Sequence, residues 1–332
     1  MMKHRRNAMK DSMTSKKGVL MRELIAEITS THHLGESIQT GKYRKHPIEP
    51  PFIYPAKYQH ETIMLEHFSF EYLRASREKS KTAILQLHGG GYIGPMKNAY
   101  RRFSIYYHKQ CQNSDVVTVD YRVAPEHPYP AALMDALTTY RHMIAELGYA
   151  PKRITIAGDS AGGGLAVALC LYLRDHKLPL PGGLILMSPW CDLTNSGSSH
   201  IKNFEIDPLF GNSINNMLYN SSYIGSHDPK NPYISPLFGD MKGLPPMLIQ
   251  VGTHEVLLSD STQLAKKAKE SGIKVRLSQY EGMFHVFQMS GSMLPESKAA
   301  WREVGQFFQI IQVSDTKPSR TSKTNHIKQH KT

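Results

Sequence analysis

The sequence predicts an α/β fold, a mostly parallel central sheet flanked by helices, on two observations. Short, near-continuous apolar runs recur from residue 82 onward, and amphipathic helical patterns separate them with short links. A run that is apolar on both faces suits a parallel strand covered by helices on each side. Strand–helix–strand alternation with short links then indicates a doubly wound sheet.

The elements follow in order. Residues 62–73 read as an edge strand or hairpin ahead of the series. Strands are expected at 82–87, 116–121, 153–157, 184–187, 247–251 and 275–280. Helices are expected at 98–112, 131–147, 161–176, 258–271 and 296–311. Gly148 and Gly272 stand where two of these helices should stop, because glycine accepts the left-handed conformation common just past a helix C-terminus.

Two segments break the rhythm. Residues 19–60 open with a helical stretch, Val19 to Ile28, and then turn proline-rich. Residues 196–243 are too long for a bare connecting loop. Their aromatic, Met and Leu content (Phe204, Leu209, Phe210, Met217, Leu218, Tyr219, Tyr223) predicts a packed helical insertion. Both segments are expected to fold over one end of the sheet as a helical cap. The domain reading is a catalytic domain over 61–313 carrying a cap insertion at 196–243, a cap segment at 19–60, and disordered basic tails at 1–18 and 314–332.

The formal charge of +12 suggests nucleic acid until it is located. Residues 1–18 carry six Lys/Arg against one acid, and residues 314–332 five against one. The body between them is nearly neutral. Neither tail has interleaved aromatics or a DNA-reading motif, so solvated ends are the better reading and no nucleic-acid partner is expected. Three scattered cysteines, Cys111, Cys170 and Cys191, suit neither a disulfide framework nor a zinc site, and no metal is expected. The basic N-terminus has no apolar stretch behind it and no run of about 18 apolar residues follows. The expectation is therefore a cytoplasmic protein with no membrane span.

The strongest local signal is Gly158-Asp159-Ser160-Ala161-Gly162-Gly163, between a strand and a helix. A serine there sits on a sharp strand-to-helix turn, its hydroxyl raised above the sheet, which is the nucleophile elbow of the α/β-hydrolase fold. A second glycine loop, His88-Gly89-Gly90-Gly91, also follows a strand. A phosphate-binding loop needs Lys-Ser/Thr after its last glycine; Tyr92-Ile93 stand here instead. With the elbow downstream, the loop reads as an oxyanion hole, whose amides point at the oxygen that turns negative in acyl transfer.

A serine needs a base, and the base needs an acid to fix its tautomer. The chain order in this fold is nucleophile, acid, histidine. Of 17 histidines, His285 follows the last strand, where the loop can return to the elbow. The acid should follow the strand ending at Val251, which leaves Glu255 and Asp260. Glu255 is favoured by its place on the loop; Asp260, the alternative, falls in the first turn of the next helix, where a carboxylate already suits the helix dipole.

These motifs, with Asp120-Tyr121-Arg122-Val123-Ala124-Pro125-Glu126, closely resemble those of the hormone-sensitive-lipase-like carboxylesterases, the bacterial family IV, from about residue 82 to 311. The resemblance implies a Ser160–Glu255–His285 triad and an oxyanion hole formed by the amides of Gly90, Gly91 and Ala161. It makes His88, Gly89, Asp159, Asp120 and Glu126 motif supports. It implies hydrolysis of short- to medium-chain esters as the small-molecule substrates, no cofactor, and often a homodimer through the last strand and helix. One departure stands out: family members mostly carry Asp-Pro-Leu where this chain has Glu255-Val256-Leu257. The same triad serves amidase or deacetylase chemistry. A non-catalytic receptor on this fold is the other alternative, and the presence of His285 argues against it.

Overall fold

The computed structural model describes residues 14–31, 49–75 and 78–314. Residues 1–13 and 315–332 of the expected tails, and residues 32–48 of the expected cap segment, lie outside the described residues. The tail boundary at residue 18 needs correction, because helix α1 (Lys16–Thr31) already includes it.

Eight strands form one sheet: β1 (Gln59–Met64), β2 (Ser69–Arg74), β3 (Ala83–Leu87), β4 (Asp115–Asp120), β5 (Ile154–Asp159), β6 (Gly183–Met187), β7 (Met247–Gly252) and β8 (Val275–Tyr280). Their spatial order is β1-β2-β4-β3-β5-β6-β7-β8. The pairings β1·β2 and β2·β4 are antiparallel and all others parallel. Burial explains the difference. β3, β5, β6 and β7 are buried at every residue, as central strands covered on both faces must be. The edges alternate or open to water: β1 is mostly exposed, and β8 is half-buried along most of its length.

The principal helices are α2 (Asn98–Gln110), α3 (Ala131–Ala145), α4 (Ala161–Asp175), the short α5 (Ser199–Lys202), α6 (Leu258–Glu270) and α7 (Pro295–Ser314). Leu133, Leu165, Leu169 and Leu264 pack one sheet face; Phe103, Tyr107, Trp301 and Phe308 pack the other. Trp301 on α7 is the hinge of the second layer, edge-on to Phe103 at 5.2 Å and to Tyr107 at 5.0 Å on α2. Gly148 and Gly272 have φ of +67° and +80° just past α3 and α6, so the expected stops are real.

The insertion at 196–243 packs as expected, but not as helices. Apart from α5 and a 3-10 turn at Pro236–Phe238, it is a succession of turns. Its Asn and Asp side chains accept hydrogen bonds from the amide two residues on: Asp207 from Leu209, Asn216 from Leu218, Asp228 from Lys230 and Asn231 from Tyr233. These Asx turns compete with helix formation and win. The regular helix that meets the insertion is α1 instead. Its Thr14–Arg22 end is fastened to the loop after β8: the Thr14 hydroxyl donates to Glu281 O and Arg22 to Gly282 O. Its far end meets the insertion through Thr29 and the Pro208 carbonyl.

Candidate active site

Every sequence-predicted catalytic residue follows the C-terminal end of a parallel strand, the edge where ligands bind in open α/β sheets. Between Asp159, the last residue of β5, and Ala161, the first of α4, Ser160 alone makes the reversal, with φ +53° and ψ −123°. Such a conformation is strained for a residue with a side chain. The turn is tight enough to exclude a Cβ on its flanks. One built on Gly158 would fall 2.2 Å from the Gly162 carbonyl oxygen, and one on Gly162 would fall 2.1 Å from that of Leu87. The Ser160 amide donates to Met187 O at 3.0 Å, and its carbonyl accepts from Trp190 at 2.9 Å. Ser160 therefore sits pinned to the end of β6, at the positive end of α4.

Glu255 and His285, the expected acid and base, meet the same strand end one residue later, at Ser188. Glu255 is fully buried, and His285 is 6 % exposed. Nδ1 of His285 lies 2.9 Å from Oε2 of Glu255. The other oxygen, Oε1, accepts from the Gly252 amide at 2.6 Å and from the Ser188 hydroxyl at 2.9 Å. Ser188 Oγ also accepts the Val286 amide at 3.2 Å. Met187 thus holds the backbone of Ser160, while Ser188 holds the carboxylate of Glu255 and the residue after His285. The Phe210 ring stands edge-on to the imidazole at 5.0 Å.

Asp260 is elsewhere engaged. It lies in the first turn of α6, and its Oδ2 accepts the amides of Cys191 and Asp192 at 2.8 and 2.9 Å. Its Oδ1 faces His200 Nε2 at 3.6 Å, beyond hydrogen-bond reach. Burial pushes its pKa up, while His200 and the two amides pull the other way.

The histidine–triglycine loop is shaped from behind. His88 is buried, stacked on Tyr121 at 4.0 Å, and its Nδ1 lies 2.7 Å from the Gly89 carbonyl oxygen. A carbonyl oxygen can only accept, so Nδ1–H donates; burial lowers the His88 pKa. A trans peptide points its C=O and N–H in opposite directions. Fixing the Gly89 carbonyl toward His88 therefore turns the Gly90 N–H away from it. Gly90 and Gly91 have φ of +113° and +63°, a backbone that favours glycine. No described residue accepts a hydrogen bond from the Gly90 or Gly91 amide, and the Ala161 amide, at the first helical position of α4, has no intrahelical acceptor. From above, Met217 covers Gly91, where a Cβ would meet its Cγ at 2.3 Å.

Among the supports, Asp159 is buried and hydrogen-bonded by the Gly89 backbone, tying the elbow to the glycine loop. Burial pushes its pKa up to about 7 against the pull of His285, Gly89 and the Tyr100 hydroxyl. Asp120 accepts the Met96 amide at 3.2 Å. Glu126 is a correction: it is exposed and makes no hydrogen bond or ion pair with a described residue. Its neighbours do the work expected of it. Tyr121 donates its hydroxyl to His88 O at 2.6 Å, Ala124 its amide to Tyr92 O at 2.8 Å, and Arg122 is doubly bonded to buried Asp135. Sequence reasoning missed Tyr121, Asp135 and Ser188. For Ser188 a signal existed, a lone hydroxyl ending an apolar strand beside the elbow's strand; for Asp135, midway along a helix face, there was none. Among the described residues no His/Cys/Asp/Glu cluster could hold a metal ion, and no helix is long and apolar enough to cross a membrane.

Comparisons with known proteins agree with this architecture. Residues 84–289 match the model of the family described as alpha/beta hydrolase fold. An acetyl-hydrolase of Streptomyces hygroscopicus is 38 % identical over 247 residues, 74 % of this chain and 81 % of that one. An esterase of Acinetobacter venetianus is 36 % identical over 255 residues, 75 % of this chain and 83 % of its own. Among solved structures, the esterase EstE5 soaked with p-nitrophenyl butyrate superposes with a TM-score of 0.79 at 36 % identity, covering 90 % of this chain and 99 % of its own. An esterase of the bacterial hormone-sensitive lipase family does so with a TM-score of 0.77 at 32 % identity, covering 89 % and 98 %. With its sheet order, its elbow and these relatives, the chain belongs to the hormone-sensitive-lipase-like, bacterial family IV, carboxylesterases of the α/β-hydrolase superfamily.

Proposed function

We propose that the protein hydrolyses short- to medium-chain carboxylic esters through an acyl-enzyme on Ser160. His285 takes the Ser160 proton through Nε2 as Oγ attacks the ester carbonyl. Glu255 holds the opposite ring nitrogen, fixing the tautomer and balancing the imidazolium charge. The amides of Gly90, Gly91 and Ala161 receive the oxyanion, an interaction in which removing one donor typically costs about 2.7–4 kcal/mol in the transition state. His285 then protonates the departing alcohol, and water repeats the cycle to free the acid and restore Ser160.

The observation that carries this reading is the 2.9 Å contact between His285 Nδ1 and Glu255 Oε2, anchored through Ser188 beside the residue that holds the Ser160 backbone. The chain-length range is supported by Met217 over Gly91 and Phe210 against His285, which narrow the approach, and by the acetyl-hydrolase relative and the esterase soaked with p-nitrophenyl butyrate. A homodimer through β8 and α7 belongs to the same reading, since β8 is the last strand of the sheet. So does a cytoplasmic location, which suits three unbridged, buried cysteines.

The test is Ser160→Ala assayed with p-nitrophenyl butyrate. Turnover should vanish while circular dichroism and the melting midpoint stay near wild type; a mutant that still turns over substrate would refute the assignment. A series of p-nitrophenyl esters of rising acyl length measures the chain-length limit.

A further inference from the structure

The insertion after β6 reaches both the acid and the base through one carboxylate that the mechanism does not use. Asp207 is buried. Its Oδ1 accepts the amides of Leu209 and Phe210 at 2.8 and 2.9 Å, and its Oδ2 accepts the Val256 amide at 2.7 Å. Phe210 carries the ring that packs on His285, and Val256 is the residue after Glu255. Asn203 holds the same segment from its carbonyl side, donating to Thr253 O at 3.1 Å and Glu255 O at 2.7 Å. The loop carrying the acid is thus gripped through an amide and two carbonyls by residues some fifty positions earlier in the chain.

We propose that Asp207, seconded by Asn203, is a positioning residue for ester hydrolysis: it keeps the Glu255 carboxylate and the His285 ring in mutual register by clamping Val256 and Phe210. The inference rests on the triad reading above. A glutamate has one more rotatable bond than the aspartate usual in the family, so its oxygen is aimed by its surroundings as much as by its own backbone. Two surroundings supply that aim. Ser188 and the Gly252 amide hold the inner oxygen, and the clamp holds the backbone from which the side chain springs. A misplacement of about 1 Å at such a contact costs roughly 10²-fold in rate.

Asp207→Asn is the sharpest probe. One amide oxygen can still take the Leu209 and Phe210 N–H groups, but an NH₂ then faces the Val256 N–H. With p-nitrophenyl butyrate and the full-length chain, kcat should fall about 10²-fold with KM within about twofold, in protein that melts cooperatively above the assay temperature. The decisive measurement is a double-mutant cycle with Glu255→Gln. Once the carboxylate is gone, adding Asp207→Asn should cost less than about twofold, because nothing is left to aim. A wild-type kcat in Asp207→Asn, or an undiminished penalty in the Glu255→Gln background, overturns the proposal. If Asp207→Asn does not fold, Asn203→Ala loosens the same segment and should lower kcat about tenfold with the same loss of additivity; an unchanged kcat there overturns it equally. Glu255→Gln alone separates the two readings. Full activity in that variant sinks the triad and the clamp together, whereas a large loss there with none in Asp207→Asn sinks the clamp alone.

Discussion

Two buried carboxylate–imidazole pairs have their carboxylates five residues apart, at Glu255 and Asp260, and they are built to opposite ends. In the Glu255–His285 pair both oxygens are spent inside the site, one on Nδ1 at 2.9 Å and one on Ser188 and Gly252. In the Asp260–His200 pair the well-bonded oxygen serves the backbone of Cys191 and Asp192, the other stands 3.6 Å from the imidazole, and neither ring nitrogen of His200 has a hydrogen-bond partner among the described residues. The first pair fixes a ring; the second fixes a loop. Burial and proximity of an acid to a histidine do not by themselves make a pair of the kind proposed for Glu255 and His285. What separates them is whether the carboxylate is aimed by its neighbours at the ring or consumed by amides.

The largest expected effect breaks the comparison directly. Glu255→Gln should lose about 10⁴-fold in kcat, because a neutral amide fixes the wrong tautomer and cannot balance an imidazolium. Asp260→Ala should leave the kcat of folded protein within a few-fold and instead lower stability by ~1–3 kcal/mol, the usual cost of orphaning buried amides. Urea unfolding beside steady-state kinetics distinguishes the two; a catalytic loss at Asp260 as deep as that at Glu255 would reverse the roles.

Ser188 sharpens the comparison at the next level. Its φ is +47°, an uncommon conformation for serine, and its hydroxyl links Glu255 to the residue after His285. Ser188→Ala removes a donor to Glu255 and the acceptor for Val286. It should slow kcat about tenfold, less than losing the carboxylate and more than any change at Asp260. An unaffected kcat would mean that the Gly252 amide suffices to aim the acid.

The smallest effect is in pH. Asp159 is held at about 7, above an ordinary value of 3.8, so its protonated form favours the folded state. That contribution is complete below about pH 4 and is lost as the pH rises through about 7. Asp159→Asn removes this titration. The urea midpoint of wild type should therefore fall relative to the variant between pH 4.5 and 7.5; parallel curves across that window would contradict the assignment.

The strands, helix stops and loop order could be read without coordinates because each is written locally. Burial on both faces leaves an unbroken apolar run, a left-handed stop calls for Gly148 and Gly272, and a strand meeting a helix through Gly158 and Gly162 leaves one place for Ser160. Other features depend on partners far along the chain, and no local pattern states the contact itself. His285 finds Glu255 across 30 residues, Ser188 finds Glu255 across 67, and Val286 finds Ser188 across 98. The insertion misled because its apolar residues do pack, while its Asn and Asp side chains divert the backbone into turns. Glu126 misled because its motif is used through Tyr121, Ala124 and Arg122. Periodicity and turn chemistry are properties of consecutive residues. Which carboxylate faces which ring depends on where eight strand ends meet, and only the packed sheet sets that.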